Sequence, residues 1–383
     1  MNKKKLSHSS LNSSITSVLA ALLCILIGLV VGFLVLLAIN PAHAWGDGFV
    51  RILKGGFHDA PYGVGKELAN AAPLIMTGLS VAFAFKTGLF NIGAAGQYTL
   101  GAYGALYCAI MLKLPWFVCL LVAAVLGGLW GAIPGFFKAY FNINEVITSI
   151  MFNWIGLYLV NELIYQNGTG PMYDVRNTRT LNLSKNADFA QSLIPDFGLN
   201  KLFQTNSTTI AIFLAAAVAV LIKTTFGYEL KAVGLNKNAA RYAGINEKKN
   251  IILSMAIAGA LAGFGAGLFY LSNVSQWNPL NSTSLPGMGF NGISVALLAS
   301  SNPIGTVFSA LFISHISVGG SFLSTKFYPT EISDLISGII IYLCAFSMLF
   351  RGKIQSLLFR NAEKTNVNAE PAPAAEKTKK EGK

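Results

Sequence analysis

The chain has 383 residues, of which 53% are hydrophobic and 11% charged, against roughly 25% charged in ordinary soluble chains. Apolar runs long enough to cross a bilayer recur along it, which marks an integral membrane protein and excludes a water-soluble enzyme or a nucleic-acid-binding domain. The formal net charge of +12 has a topological origin, set out below, and Cys24, Cys108, Cys119 and Cys344 lie in apolar runs without CxxC or disulfide-type spacing, as small hydrophobes do.

Met1–Ser14 is polar and opens with three lysines. Ile15–Ile39 is an uncharged apolar run. Ala42-His43-Ala44 has the look of a signal-peptidase site, but the apolar core before it is longer than the roughly 7–15 residues of a signal peptide. The run therefore reads as an uncleaved first span. Asn40–Glu67 is a Gly-rich external loop, followed by spans at Leu68–Phe85 and Gly88–Leu112, the latter interrupted by Gly and polar residues. Trp116–Phe141 is the fourth span, with Gly127, Gly131 and Gly135 at the four-residue spacing that lets helices pack closely; Pro134 is a candidate kink. Glu145–Tyr165 is the fifth, and 166–207 is a long polar external segment. Thr208–Ile222 is the sixth. The polar, basic segment 223–249 leads to Asn250–Leu271, where Gly259, Gly263 and Gly267 repeat the four-residue spacing. Met288–Ala299 and Ile304–Gly320 read as two short or irregular spans, and Ile332–Phe350 as the tenth.

The expected architecture is thus an all-α polytopic membrane protein of about ten transmembrane helices. It has a cytoplasmic N-terminus (1–14), a membrane domain (15–350) and a basic, disordered cytoplasmic tail (351–383). Ten crossings place both termini and the 223–249 loop in the cytoplasm. Nineteen of the 28 Lys and Arg then lie inside: three before the first span, Lys86, Lys138, six in the loop and eight in the tail. Nine lie outside, which is the positive-inside bias and accounts for the basic composition. Spans two to five begin and end outside, spans seven to ten inside. That arrangement permits an inverted repeat, although no internal sequence match supports one.

Within the 223–249 loop, Asn236 and Gly244 suit the N-cap and C′ positions of a short helix. Between them, Asn238-Ala239-Ala240-Arg241-Tyr242-Ala243-Gly244 resembles the coupling segment of ABC importer permeases: Glu-Ala-Ala, three residues, then Gly. Asn238 stands where the family carries Glu. The longer stretch AVGLNKNAARYAGIN is similar to the form found in permeases for ribose-type sugars and nucleosides. Three further segments carry the same resemblance. Gly88-Leu89-Phe90-Asn91-Ile92-Gly93-Ala94-Ala95-Gly96-Gln97 is similar to GLFNIGxEGQ, with Ala95 in place of the family's Glu. Asn144-Glu145-Val146-Ile147-Thr148-Ser149-Ile150-Met151-Phe152-Asn153 and the stretch 287–298, similar to GFxGIAVALL, complete the set.

The residues themselves leave two readings. Gly93 and Gly96 break a helix, and irregular backbone at membrane depth is tolerated where it is buried in protein or lines a cavity. Asn91, Gln97, Asn153 and Asn291 are therefore candidates either for the substrate pathway or for satisfying freed backbone groups. Glu145, Thr148, Ser149 and Asn153 share one helix face, and Glu145 equally suits a helix N-terminus capped by Asn144. The 223–249 segment is either a coupling contact, carried by Asn238, Ala239, Ala240, Arg241 and Gly244, or an ordinary capped loop.

Catalytic chemistry is absent. No GxxxxGK[ST] occurs; around Gly352-Lys353 the earlier Gly position is Ser347 and Ile354 follows. No His pair has metal-ligand spacing. The resemblance implies the permease subunit of an ATP-driven ABC importer in the bacterial plasma membrane, for nucleosides or, alternatively, for ribose or another simple sugar. It implies no cofactor in this chain, ATP used by separate ATP-binding subunits, a second, non-identical permease and an external substrate-binding lipoprotein. An ion-coupled secondary transporter is the competing class. It normally needs carboxylates near the membrane midplane, where this sequence places almost none.

Overall fold

The computed structural model describes residues 3–181, 183, 194, 206–272, 275–279, 284–324, 326–329 and 331–345. The chain folds as a helical bundle: α1 (Lys3–Ile39), α2 (Val50–Lys54), α3 (Tyr62–Lys86), α4 (Ala94–Ile110), α5 (Trp116–Phe141), α6 (Glu145–Tyr165), α7 (Asn206–Leu221), α8 (Thr225–Leu235), α9 (Lys237–Tyr242), α10 (Glu247–Leu271), α11 (Gly287–Leu298), α12 (Pro303–Ser321) and α13 (Ile332–Ala345). A two-residue hairpin, β1 (Tyr173–Asp174) with β2 (Arg179–Thr180), is antiparallel and pairs Tyr173 with Thr180. Asparagines start many helices. Asn144, Asn236, Asn246 and Asn302 each accept backbone N–H bonds from the first turn of α6, α9, α10 and α12, the role in which a short side-chain oxygen replaces the missing helical acceptor.

A helix overlaps each of the ten expected spans, the tenth as far as Ala345; its last residues, 346–350, and the expected tail, 351–383, lie outside the described residues. Six helices are long and apolar enough to cross a membrane alone, and seven crossings result if α7 and α8, bent by 72°, count as one. The third expected span is shorter than its apolar run, because residues 88–93 are not helical and α4 begins only at Ala94. The Asn40–Glu67 stretch is more ordered than a loop: a π-helical turn (Ala44–Phe49), α2 and a 3-10 turn (Gly55–Asp59) fill most of it. The 223–249 segment holds two helices, the first of which, α8, is started by the Thr224 hydroxyl accepting from Gly227 N.

The centre of the bundle is a glycine seam. The two predicted Gly-x-x-x-Gly rows face each other: a Cβ on Gly259 would stand 2.3 Å from Gly127 O, and one on Gly127 would stand 2.8 Å from Gly263 Cα. Gly101 of α4 reaches the same point, where its Cβ would lie 2.3 Å from Gly263 Cα. With no large side chains at these positions, α4, α5 and α10 approach backbone to backbone and gain dispersion contacts that lipid cannot supply. A second cluster joins α1 to α13 through Cys24, Leu36, Ile332 and Ile336. On α3 and α12, Glu67 pairs with His315 at 2.5 Å and also accepts Gly56 N at 2.7 Å, tying the 3-10 turn to both helices.

A bulky residue in the seam forces the helices apart. Gly259→Val is expected to cost about 1–3 kcal/mol and lower the melting temperature in detergent. Gly287→Ala, where a Cβ meets nothing within 4 Å, is expected to leave it unchanged.

Candidate functional site

α3 ends at Lys86, and Gly88 turns the chain with φ +68°. The next residues run back into the bundle without helical bonds, so their peptide groups need other partners. Asparagine and glutamine side chains supply them. Asn91, fully buried, donates to Ser80 Oγ at 3.0 Å and to Gln97 Oε1 at 2.8 Å; Gln97 Nε2 returns a bond to Asn91 Oδ1 at 3.0 Å. The two amides close on each other. Asn153 of α6 ties the end of the break to the start of α4: its Oδ1 accepts Gly96 N at 2.7 Å and its Nδ2 donates to Ile92 O at 3.0 Å. Gly96 has to lack a side chain here, since its Cβ would stand 2.8 Å from Asn153 Cα. Beside Gly93, the buried Ser149 hydroxyl has no hydrogen-bond partner; a Cβ on Gly93 would lie 3.2 Å from it and 3.1 Å from Gln97 Nε2.

α11 arrives at the same place. Its Gly289 packs on Ala95, 2.4 Å from a would-be Cβ to the Ala95 Cα, and its Gly292 on Thr77 of α3. The N-termini of α4 and α11 therefore meet inside the bundle. Phe90-Asn91 lies in the non-helical segment just before α4, and Phe290-Asn291 in the first turns of α11. Asn291 is half-buried and, unlike Asn91, makes no side-chain hydrogen bond among the described residues. Glu145 lies apart, at the start of α6, where it pairs with Lys138 at 2.8 Å beneath the Asn144 cap.

The α8–α9 pair touches the break from one end of the bundle. Gly234 of α8 and Gly88 meet backbone to backbone: a Cβ on Gly88 would be 3.0 Å from Gly234 O, and one on Gly234 would be 2.9 Å from Gly88 N. The adjacent Thr87 hydroxyl bonds Ser254 of α10 at 2.5 Å. α9 has the expected ends. Asn236 Oδ1 accepts from Asn238 N and Ala239 N at 3.0 and 3.1 Å, and Gly244 follows the helix with φ +81°. The predicted coupling residues divide. Ala240 is buried against Leu89, Val233 and Met255, facing the bundle. Asn238, Ala239 and Gly244 face outward, and Arg241 forms an ion pair with Glu247. Two exposed apolar residues join them, Leu235 at 89% and Tyr242 at 93% exposed. Sequence reading missed α8 and the Gly234 contact; a glycine near the end of a helix-prone loop is too weak a signal to locate a partner 146 positions away.

A family model described as "Branched-chain amino acid transport system / permease component" matches residues 65–345, from α3 through α13. The chain belongs to this permease family. It is 33% identical over 334 residues to the guanosine ABC transporter permease protein of Bacillus subtilis, covering 82% of this chain and 90% of that one. It is 34% identical over 363 residues to a nucleoside ABC transporter permease protein of Lactococcus lactis subsp. cremoris, covering 91% and 93%. A glucose ABC transporter permease protein of Haloferax volcanii is 32% identical over 337 residues, covering 83% and 84%. No solved structure matches. The permease is a multi-pass membrane protein and a transport subunit, not itself an enzyme. A permease component of this type works with ATP-binding and substrate-binding partners.

Because Asn153 holds the end of the break to the start of α4, Asn153→Leu leaves Gly96 N–H and Ile92 C=O without their partners. Each buried group left unpaired costs about 1–3 kcal/mol. The variant is expected to lose thermal stability and uptake together, measured by melting of the purified protein and by transport in cells normalised to folded protein.

Proposed function

We propose that this permease carries nucleosides inward across the bacterial plasma membrane, driven by ATP hydrolysed on separate ATP-binding subunits. The cargo class follows from the relatives named for guanosine and nucleoside transport. The observation that carries the mechanism is the contact of Gly234 with Gly88. It joins an outward-facing surface, made by α8 and α9, to the broken segment at the centre of the bundle. Leu235, Ala239, Tyr242 and Gly244 are exposed on that surface: Ala239 and Gly244 leave room for a partner helix or cleft, and Leu235 and Tyr242 offer it apolar contact. Closure of the ATP-binding subunits pushes on α9, and Gly234 passes the displacement to the turn that begins the break.

In this reading the pathway runs past the meeting point of α4 and α11. Asn91, Gln97 and Asn153 hold its wall, Ser149 and Asn291 offer unpaired polar groups to a hydroxyl-rich cargo, and the Glu145–Lys138 pair lies at its cytoplasmic end. Ten crossings put α8, α9 and both termini in the cytoplasm, as the charge bias favours. The inverted repeat gains support from the site. α4 and α11 are each second in their set of four, and both begin inside the bundle. The partners are a second, non-identical permease, the ATP-binding subunits and an external substrate-binding lipoprotein.

Cells expressing the full set of subunits are expected to take up labelled guanosine while ATP is maintained and the proton and sodium gradients are collapsed. Uptake that stops with the gradients would favour the secondary-transporter class. Uptake of glucose alone would favour the sugar reading suggested by the Haloferax relative. For the coupling surface, Ala239→Trp is expected to leave folded permease at normal levels while abolishing co-purification of the ATP-binding subunits and uptake. Ala240→Trp, placed in the bundle, is expected to lower the level of folded protein instead.

A further inference from the structure

Three aromatic side chains form a column between the β1–β2 end of the bundle and the break. Trp277, in the segment 275–279, has its side chain buried. Its backbone is tied to the hairpin, with Thr180 N donating to Trp277 O at 2.8 Å and Trp277 N to Thr180 Oγ1 at 3.2 Å. Its indole N–H donates to Asn161 Oδ1 of α6 at 2.9 Å. The indole meets the Tyr270 ring at 5.8 Å between centroids, and Tyr270 meets Tyr98 of α4 at 6.2 Å, both at 58°. Tyr98 directly follows Gln97, so the column ends at the break.

The polar atoms of this column are what set it apart from packing. The Tyr98 hydroxyl is buried and has no hydrogen-bond partner, and the Tyr270 hydroxyl makes no hydrogen bond among the described residues. Buried tyrosines normally find a partner for the hydroxyl, and an orphaned one in a native interior calls for an explanation. Phenylalanine would fill nearly the same volume without that penalty. A phenol kept unpaired in a transport protein is explained by a cargo that supplies the missing partner.

We infer that Tyr98, Tyr270 and Trp277 form a recognition site for the flat heteroaromatic ring of the cargo, with the Tyr98 hydroxyl bonding a ring nitrogen or exocyclic group. The inference rests on the nucleoside reading and adds where the base is read. A base enters by parting Trp277 from Tyr270, which exchanges one aromatic contact for another. Every base has a face that stacks on an aromatic ring, so the site selects bases as a class over bare sugars.

The test uses the complete transporter in proteoliposomes, with tritiated guanosine for uptake and tritiated 8-azidoguanosine as a photolabel. The label is expected on peptides containing Tyr98, Tyr270 or Trp277, displaced by guanosine and cytidine and not by ribose. Tyr98→Phe keeps the ring and removes only the hydroxyl, and is expected to raise the guanosine concentration for half-displacement about 2–10-fold, the loss of one hydrogen bond, at an unchanged level of folded protein. Guanosine uptake by the wild type with label on none of the three peptides, or with unchanged displacement in Tyr98→Phe, would overturn the inference and leave the nucleoside reading standing. A wild type that takes up no nucleoside would overturn both.

Discussion

Inside a bilayer core, a peptide N–H or C=O that leaves a helix has no water to bond, and an unpaired one costs several kcal/mol. The break between α3 and α4 creates such groups at the centre of this permease, and the surrounding structure is arranged to pair them. Asn153 takes one group from the end of the break and one from the start of α4. Asn91 and Gln97 satisfy each other and draw in Ser80. Once these amides are committed, α6 has to lie against the start of α4, and the Gly96 position has to stay bare to let it.

The same economy of side chains runs through the rest of the bundle. α4, α5 and α10 meet at glycines, α11 docks on Ala95 and Thr77 through Gly289 and Gly292, and α8 docks on the α3–α4 turn through Gly234. Neutral amides and bare backbone take the place of buried charge. Among the described residues the Lys138–Glu145 and Arg241–Glu247 pairs lie at helix ends, and His315–Glu67 joins α12 to the early part of α3. That distribution suits a transporter whose energy arrives mechanically from another subunit, because a proton- or sodium-coupled machine needs a titratable or ion-binding group at depth.

Much of this was legible in the sequence, for a reason particular to each element. The Asn236 cap and the Gly244 stop of α9 are local signals, set within one helical turn, and both appear as expected. The two Gly-x-x-x-Gly rows announced close packing, and they turn out to pack on each other. The amides of the break were visible as polar residues in apolar surroundings; their bonding was not, because Ser80, Ile92 and Gly96 come to Asn91 and Asn153 only through the fold. For the same reason Ala239 and Ala240, adjacent and identical in sequence, could not be told apart before the register of α9 against Val233 and Met255 was known. The aromatic column is wholly non-local, drawing on residues 98, 161, 180, 270 and 277.

Gly88 and Gly234 touch without a side chain between them. A contact made through side chains is compliant, since rotamers shift and absorb part of any displacement. Two peptide backbones in van der Waals contact have almost no such slack, so a movement of α8 of a few tenths of an ångström reaches the turn nearly undiminished. The arrangement is one-sided, however: backbone contact resists compression and offers little against tension. In the proposed mechanism a push on α8 would be transmitted through this joint. A return stroke would then have to be drawn through other ties, such as Asn250–Glu229 between α10 and α8, or left to the relaxation of the bundle itself.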